Sequence, residues 1–203
     1  FDDSLIEKLL KVDKKLYGVK LQDYRGGDNN IHTWELELKG CITKGETEIM
    51  NIIVKERRRK EWEKDMGLKN MDGIPLTYDI INKFYLKMDL KDNLDNLVKL
   101  KYLHYVKIND EHHGYTIKTG KLSIPFNRIL DPTGYAPTLT ATDCCKLVVL
   151  IDNKYLRRLS TKELNKVCGF PENFKIPDNV NKFDLYGNMV IPTVVNSILD
   201  VIF

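Results

Sequence analysis

The chain has 203 residues, 42% hydrophobic and 30% charged, and a mean hydropathy of -0.35, the profile of a soluble chain with one domain or one and a small second. A net charge of +3 permits nucleic-acid binding without arguing for it, because a local basic patch matters more than a small excess. Cys41, Cys144, Cys145 and Cys168 have the spacing of neither a zinc site nor a disulfide framework, and read as reduced thiols of a cytoplasmic protein.

Ser4-x-x-Glu7 has the capping-box form, and Leu5, Leu9, Val12 and Leu16 follow at helical spacing, so a helix is predicted over 4–17. The Gly/Asn/Asp cluster 23–30 reads as a loop. Arg25, ahead of Gly26 and Gly27, is either a plain turn residue or one that comes close to a nucleic-acid backbone. Residues 32–38 alternate and predict a strand.

Thr43-x-x-Glu46 is a second capping box, opening a helix to about Lys60 with Ile49, Met50 and Ile53 as its apolar stripe. Thr77 caps a short helix carrying Ile80, Ile81 and Phe84, and a third begins at Asp89 or Leu90 with Leu90, Leu94, Leu97 and Val98 on one face. Two β-rich runs, 102–108 and 115–118, flank a turn. Three helices and a hairpin in that order describe either a winged helix-turn-helix or a helical subdomain whose polar face meets water. In the first case Lys91, Asn93, Asn96 and Lys99 form the outward row of the reading helix. The run 55–61, with Arg57 and Arg58, is a solvated helix face or a phosphate-contacting patch.

Beyond Gly120 the pattern turns to β and loop over 121–126, 130–135, 138–141 and 146–151. Ser160-x-x-Glu163 opens a helix that ends at Gly169 with Pro171 beyond. A last helix starts near Pro192 and is apolar nearly all round, which calls for burial on several sides. The stretch 189–203 is too short to span a membrane, so no membrane partner is expected. No phosphate loop, dinucleotide fingerprint, elbow serine or Cys/His couple is present, and no metal site or complete active site is expected. Opening on Phe1 without Met suggests a chain cut from something longer.

The string from Arg157-Arg158-Leu159-Ser160-Thr161-Lys162-Glu163 to Gly169-Phe170-Pro171 resembles the ninth motif of DNA cytosine-5 methyltransferases, with Ser160 for Thr and Lys162 for Arg. Tyr186-Gly187-Asn188-Met189-Val190-Ile191-Pro192 is similar to the tenth, with Met189 for Ser. Gly134-Tyr135-Ala136-Pro137-Thr138-Leu139-Thr140-Ala141 resembles the Pro-Thr-Leu segment that closes the family's recognition domain. No proline here precedes a cysteine, and the family's Glu-Asn-Val, Phe-x-Gly-x-Gly and Gln-x-Arg-x-Arg elements are missing.

The resemblance therefore implies the C-terminal, DNA-reading part of such an enzyme, lacking the catalytic half and inactive alone. It implies an α+β fold: a winged-helix-like subdomain, a small β-rich recognition region and two C-terminal helices, divided as 1–42, 43–120, 121–156 and 157–203. It further implies duplex DNA and a catalytic domain or subunit as partners, the latter covering the last helix, and S-adenosylmethionine as cofactor beside Asn188 and Met189. The expected DNA contacts are Thr138, Thr140, Arg25, Arg57, Arg58, Lys91, Asn93, Asn96 and Lys99, within a cytoplasmic restriction–modification system. The rival reading is a non-enzymatic winged-helix regulator.

Overall fold

Asp3–Lys11 forms helix α1, with Ile6 and Leu9 on its buried side. It ends well short of the predicted residue 17. Exposure alternates from residue 11 to 16, the period of extended chain. Gly18 then takes φ 77°, and Tyr17 bridges in parallel to Ile129. The computed structural model describes residues 1, 3–68, 72–119 and 124–202. Two units emerge: Phe1–Leu10, Lys15–Val19 and Pro125–Phe203 in one, Lys11–Lys14 and Lys20–Ile124 in the other. The boundary predicted at Gly120 lies outside the described residues.

In the second unit, strands β1 (Lys20–Leu21) and β2 (Asn30–Ile31) pair in parallel. The strand predicted over 32–38 does not form. The Glu35 and Leu36 amides donate back to the His32 carbonyl, and the Asp23 carboxylate accepts from the Thr33 amide and hydroxyl, each at 2.8 Å. These local bonds curl the segment, with His32, Thr33, Trp34 and Leu36 all buried. The alternation in sequence records the inward turns of a coil rather than the pleat of a strand.

Helix α2 (Lys44–Glu56) opens with the predicted capping box: the Thr43 hydroxyl accepts from the Glu46 amide at 3.1 Å, and the Glu46 carboxylate accepts from the Thr43 amide at 2.7 Å. It stops before Lys60, and a separate short helix α3 (Lys60–Asp65) follows. Thr77 caps α4 (Tyr78–Asn82), and α5 (Leu90–Lys99) buries Leu90, Leu94 and Leu97. Strands β3 (Leu103–Lys107) and β4 (His113–Ile117) form an antiparallel hairpin, with Tyr105 opposite Tyr115. These elements enclose one core that includes Ile49, Ile53, Leu76, Ile81, Leu94 and Tyr102. The Tyr102 hydroxyl donates to the Gly40 carbonyl at 2.8 Å, and burial pushes its pKa up to about 12.

In the first unit, β5 (Arg128–Ile129) pairs in parallel with β6 (Leu147–Ile151), which pairs antiparallel with β7 (Tyr155–Arg158). Asp152 and Asn153 take φ 51° and 54° at the β6–β7 turn, the left-handed region that these two residue types tolerate best. The β runs expected over 130–135 and 138–141 are loop, and Thr140 instead caps the short helix α6 (Ala141–Cys144). Helix α7 (Thr161–Val167) carries the predicted Ser160–Glu163 capping box and ends in Gly169 at φ 72°. Helix α8 (Lys182–Asn188) was not expected, and α9 (Pro192–Ile202) buries none of its residues.

By length and composition, Lys182–Ile202 is apolar enough to cross a membrane. It is broken, however, where Met189 takes ψ 161°, leaving helices of 7 and 11 residues. Neither reaches across the ~30 Å hydrocarbon layer.

Candidate functional site

The three segments that carry the family resemblance meet around one small core in the first unit. Buried Cys144, Leu164, Cys168 and Tyr186 pack with Leu139, Leu159, Phe170 and Met189. The Tyr186 hydroxyl donates to the Asn165 side-chain carbonyl at 2.6 Å, and Phe170 stacks on Phe174 with centroids 4.2 Å apart. A Cβ on Gly187 would stand 1.9 Å from the Ala141 amide nitrogen, so only glycine lets α8 lie on the backbone of the Thr140–Ala141 turn.

One polar clamp holds the entry to α7. Both Arg157 guanidinium Nη groups donate to the Glu163 carboxylate at 2.8 Å, and Glu163 also accepts from the Ser160 amide at 2.8 Å. Arg157 and the Ser160 hydrogen bonds hold the Glu163 carboxyl down at about 2. This is a fork-to-fork pair with the charge geometry of a fixed strut. The sequence marks Glu163 through its capping box with Ser160 and Arg157 only through the motif string, and neither signal shows that the two side chains meet.

Asn188 and Met189, the expected cofactor neighbours, do not assemble a binding cradle. The Asn188 amide donates to its own helix at the Asp184 carbonyl, 2.9 Å away, and Met189 turns into the small core. S-adenosylmethionine presents an adenine, ribose hydroxyls and a charged amino-acid end, which require several donors and acceptors around an apolar slot. Asn188 keeps a second amide N–H and its side-chain carbonyl, but these alone supply too few contacts, so the two residues do not fit the cofactor on their own.

Neither buried cysteine is set up as a nucleophile. Burial raises the Cys144 thiol and pushes Cys168 up to about 11, the opposite of the activation a reactive thiolate needs. Cys41 is exposed beside the Glu37 carboxylate, which does not activate it. Among the described residues no cluster of His, Cys, Asp and Glu is arranged to hold a metal ion.

The expected DNA contacts divide. Thr138 is exposed, while Thr140 is spent capping α6, its hydroxyl accepting from the Asp143 amide at 3.2 Å. Lys91 and Lys99 are exposed on α5, with Lys91 paired to Asp95. Asn93 and Asn96 do not join an outward row. Asn93 donates to the Tyr85 hydroxyl at 3.2 Å and Asn96 to the Glu46 carboxylate, so their amides tie α5 to its neighbours. Arg57 is also corrected: it is 5% exposed and donates to the Gly73 carbonyl, out of reach of a ligand. Arg25 and Arg58 do come together, in a cleft of about 700 Å³ in the second unit. Lys14, Asn51 and Lys55 join them there, and of these only Lys55 carried a signal, in the basic run 55–61.

The sequence profile of the C-5 cytosine-specific DNA methylases matches residues 17–203. The chain is 43% identical to the Type II methyltransferase M.NlaIV of Neisseria lactamica, over 95% of this chain and 49% of that protein. It is 42% identical to M.NgoBV of Neisseria gonorrhoeae over the same shares, and 34% identical to M.BanI of Aneurinibacillus aneurinilyticus over 99% of this chain and 45% of that protein. The chain thus spans about half the length of these relatives. No solved structure matches it.

The expected placement as a C-terminal recognition part with its catalytic half missing is overturned by this match, since the methylase profile itself accounts for residues 17–203. The match gives no support to the expected inactivity of the chain or to a separate catalytic partner. The chain belongs to the C-5 cytosine-specific DNA methylase family.

Proposed function

We propose that this protein transfers a methyl group to C5 of cytosine in double-stranded DNA, in the cytoplasm and as the modification arm of a restriction–modification system. The family's methyl donor is S-adenosylmethionine. The observation that carries the reading is the match over residues 17–203, supported by the convergence of segments 134–141, 157–174 and 186–192 on one core.

The helices α2, α4 and α5 with the β3–β4 hairpin support a winged-helix-like DNA-reading role for the second unit. Lys91 and Lys99 lie exposed on α5 to meet the duplex, and Arg25 and Arg58 lie in the cleft. Thr138, exposed in the loop before α6, is the proposed contact from the first unit. In the rival reading, a non-enzymatic regulator has no use for the Gly187–Ala141 contact or the Arg157–Glu163 clamp, both of which serve the methylase segments.

The test is expression of the complete reading frame that encodes this chain in a host without cytosine-5 methylation, followed by bisulfite sequencing. Protected cytosines at a recurring short sequence are expected. Uniform conversion of every cytosine, with the protein present and folded, defeats the reading.

A further inference from the structure

The cleft in the second unit gathers four cations, and only one of them is paired with a described carboxylate. Arg25 enters from the loop before β2, Lys55 from the last turn of α2, and Arg58 from just beyond it. None of the three forms an ion pair with a described residue, whereas Lys14 in the same cleft is spent on Glu35 at 2.7 Å. Asp28 is the remaining carboxylate of the lining. The negative end of the α2 dipole accounts for part of the placement of Lys55 and Arg58, but Arg25 is on no helix.

The loop is also held in place. Gly26 packs so tightly that a Cβ there would stand 3.1 Å from Val54 Cγ1, which fixes Arg25 near the α2 cations. His32 adds no charge: its Nδ1 pairs with the Gln22 carbonyl at 2.6 Å, and burial lowers its pKa. Like charges crowded at one surface repel, and an anion from outside relieves that repulsion.

We infer that this cleft is a sequence-independent clamp for the phosphodiester backbone of duplex DNA, with Arg25, Lys55 and Arg58 as its cations and Asn51 as a neutral donor. The inference rests on the DNA-methylation reading and adds the surface that carries affinity rather than base choice. Planar arginine forks match phosphate oxygens in two-point contacts, and Gly27, where a Cβ would stand in open space, puts no side chain in the way of a close backbone approach.

The experiment is fluorescence anisotropy of the protein with two labelled duplexes, one carrying the methylated sequence and one scrambled, over a series of salt concentrations. Arg25→Gln, Lys55→Gln and Arg58→Gln are each expected to weaken both duplexes by the same factor. Each should also flatten the slope of log affinity against log salt by about 0.9, one phosphate's share. Lys55→Arg and Arg58→Lys, which keep the charge, are expected to retain the slope, and unchanged melting temperatures show that each variant is folded. Unaltered slopes in the three glutamine variants, or losses confined to the methylated sequence, overturn the clamp while leaving the methylase reading intact. No binding to either duplex by the unsubstituted protein takes down both.

Discussion

Gly187 and Ala141 touch through backbone alone: a Cβ on Gly187 would lie 1.9 Å from the Ala141 nitrogen and 2.4 Å from its Cα. Atoms that belong to the chain itself cannot rotate aside as a side chain can. Gly187→Ala must therefore push α8 off the α6 turn and open the small core around Tyr186. The expected cost is about 3 kcal/mol, the upper end of overpacking penalties, read as a fall in the midpoint of chemical denaturation. A midpoint equal to wild type would show that the two segments do not pack in this way.

Glu163 gives a pH test with a defined sign. Its folded pKa is about 2, below the ordinary 4.5, because Arg157 and Ser160 stabilise the carboxylate. The stabilisation is fully present above the ordinary value and is lost as pH falls from there toward about 2. The Glu163 side chain is 37% exposed, so solvent screening holds the charge contribution to roughly 1 kcal/mol or less. Glu163→Gln keeps a capping oxygen but loses the charge. It is expected to be less stable than wild type at neutral pH, with the gap closing in acid. A gap of constant size down to the acid limit would remove the ion pair from the account.

What was legible in the sequence was local. The capping boxes at Thr43 and Ser160 form as written, because the donor, the acceptor and the helix start all lie within one turn. The hairpin and the apolar stripe of α5 followed from short-range periodicity in the same way. Segment 32–38 alternates without forming a strand, because alternation cannot distinguish a pleated strand from a coil pinned by Asp23, a residue outside the alternating segment. Among the three consecutive arginines, the end of α2 decides which is inside: Arg57 is its C-cap and folds under the Gly73 loop, while Arg58 faces the cleft. The small core is tertiary, and the resemblance pointed to its segments without showing that they meet.

Asn96 tests the corrected reading of α5. Its amide donates to the Glu46 carboxylate, which is 2% exposed and also closes the α2 capping box. Asn96→Ala leaves a buried carboxylate oxygen without that donor, at a cost of about 1–3 kcal/mol. The substitution is expected to lower the melting temperature and to leave the methylated sequence unchanged. A folded, equally stable variant with altered base preference would instead restore Asn96 to the DNA surface.

Arg57 and Arg58 are neighbours with opposite expected behaviour. Arg57 is buried, its guanidinium pKa is lowered by desolvation, and its Nε and Nη1 find no hydrogen-bond partner among the described residues. A Cβ on Gly73 would come within 2.6 Å of Arg57 Nε, so the loop is moulded onto the arginine's stem and not onto its charge alone. Arg57→Met keeps much of that stem and removes a cation that burial disfavours, but gives up its hydrogen bond to the Gly73 carbonyl and its attraction to Asp72. We expect its stability to fall by no more than about 1.5 kcal/mol, one hydrogen bond's share, with the salt dependence of DNA affinity unaltered. Arg58→Gln is expected to do the reverse, leaving stability alone and flattening the salt dependence. If Arg57→Met flattens the salt slope as Arg58→Gln does, then Arg57 leaves its burial when DNA binds, and the division between the two arginines fails.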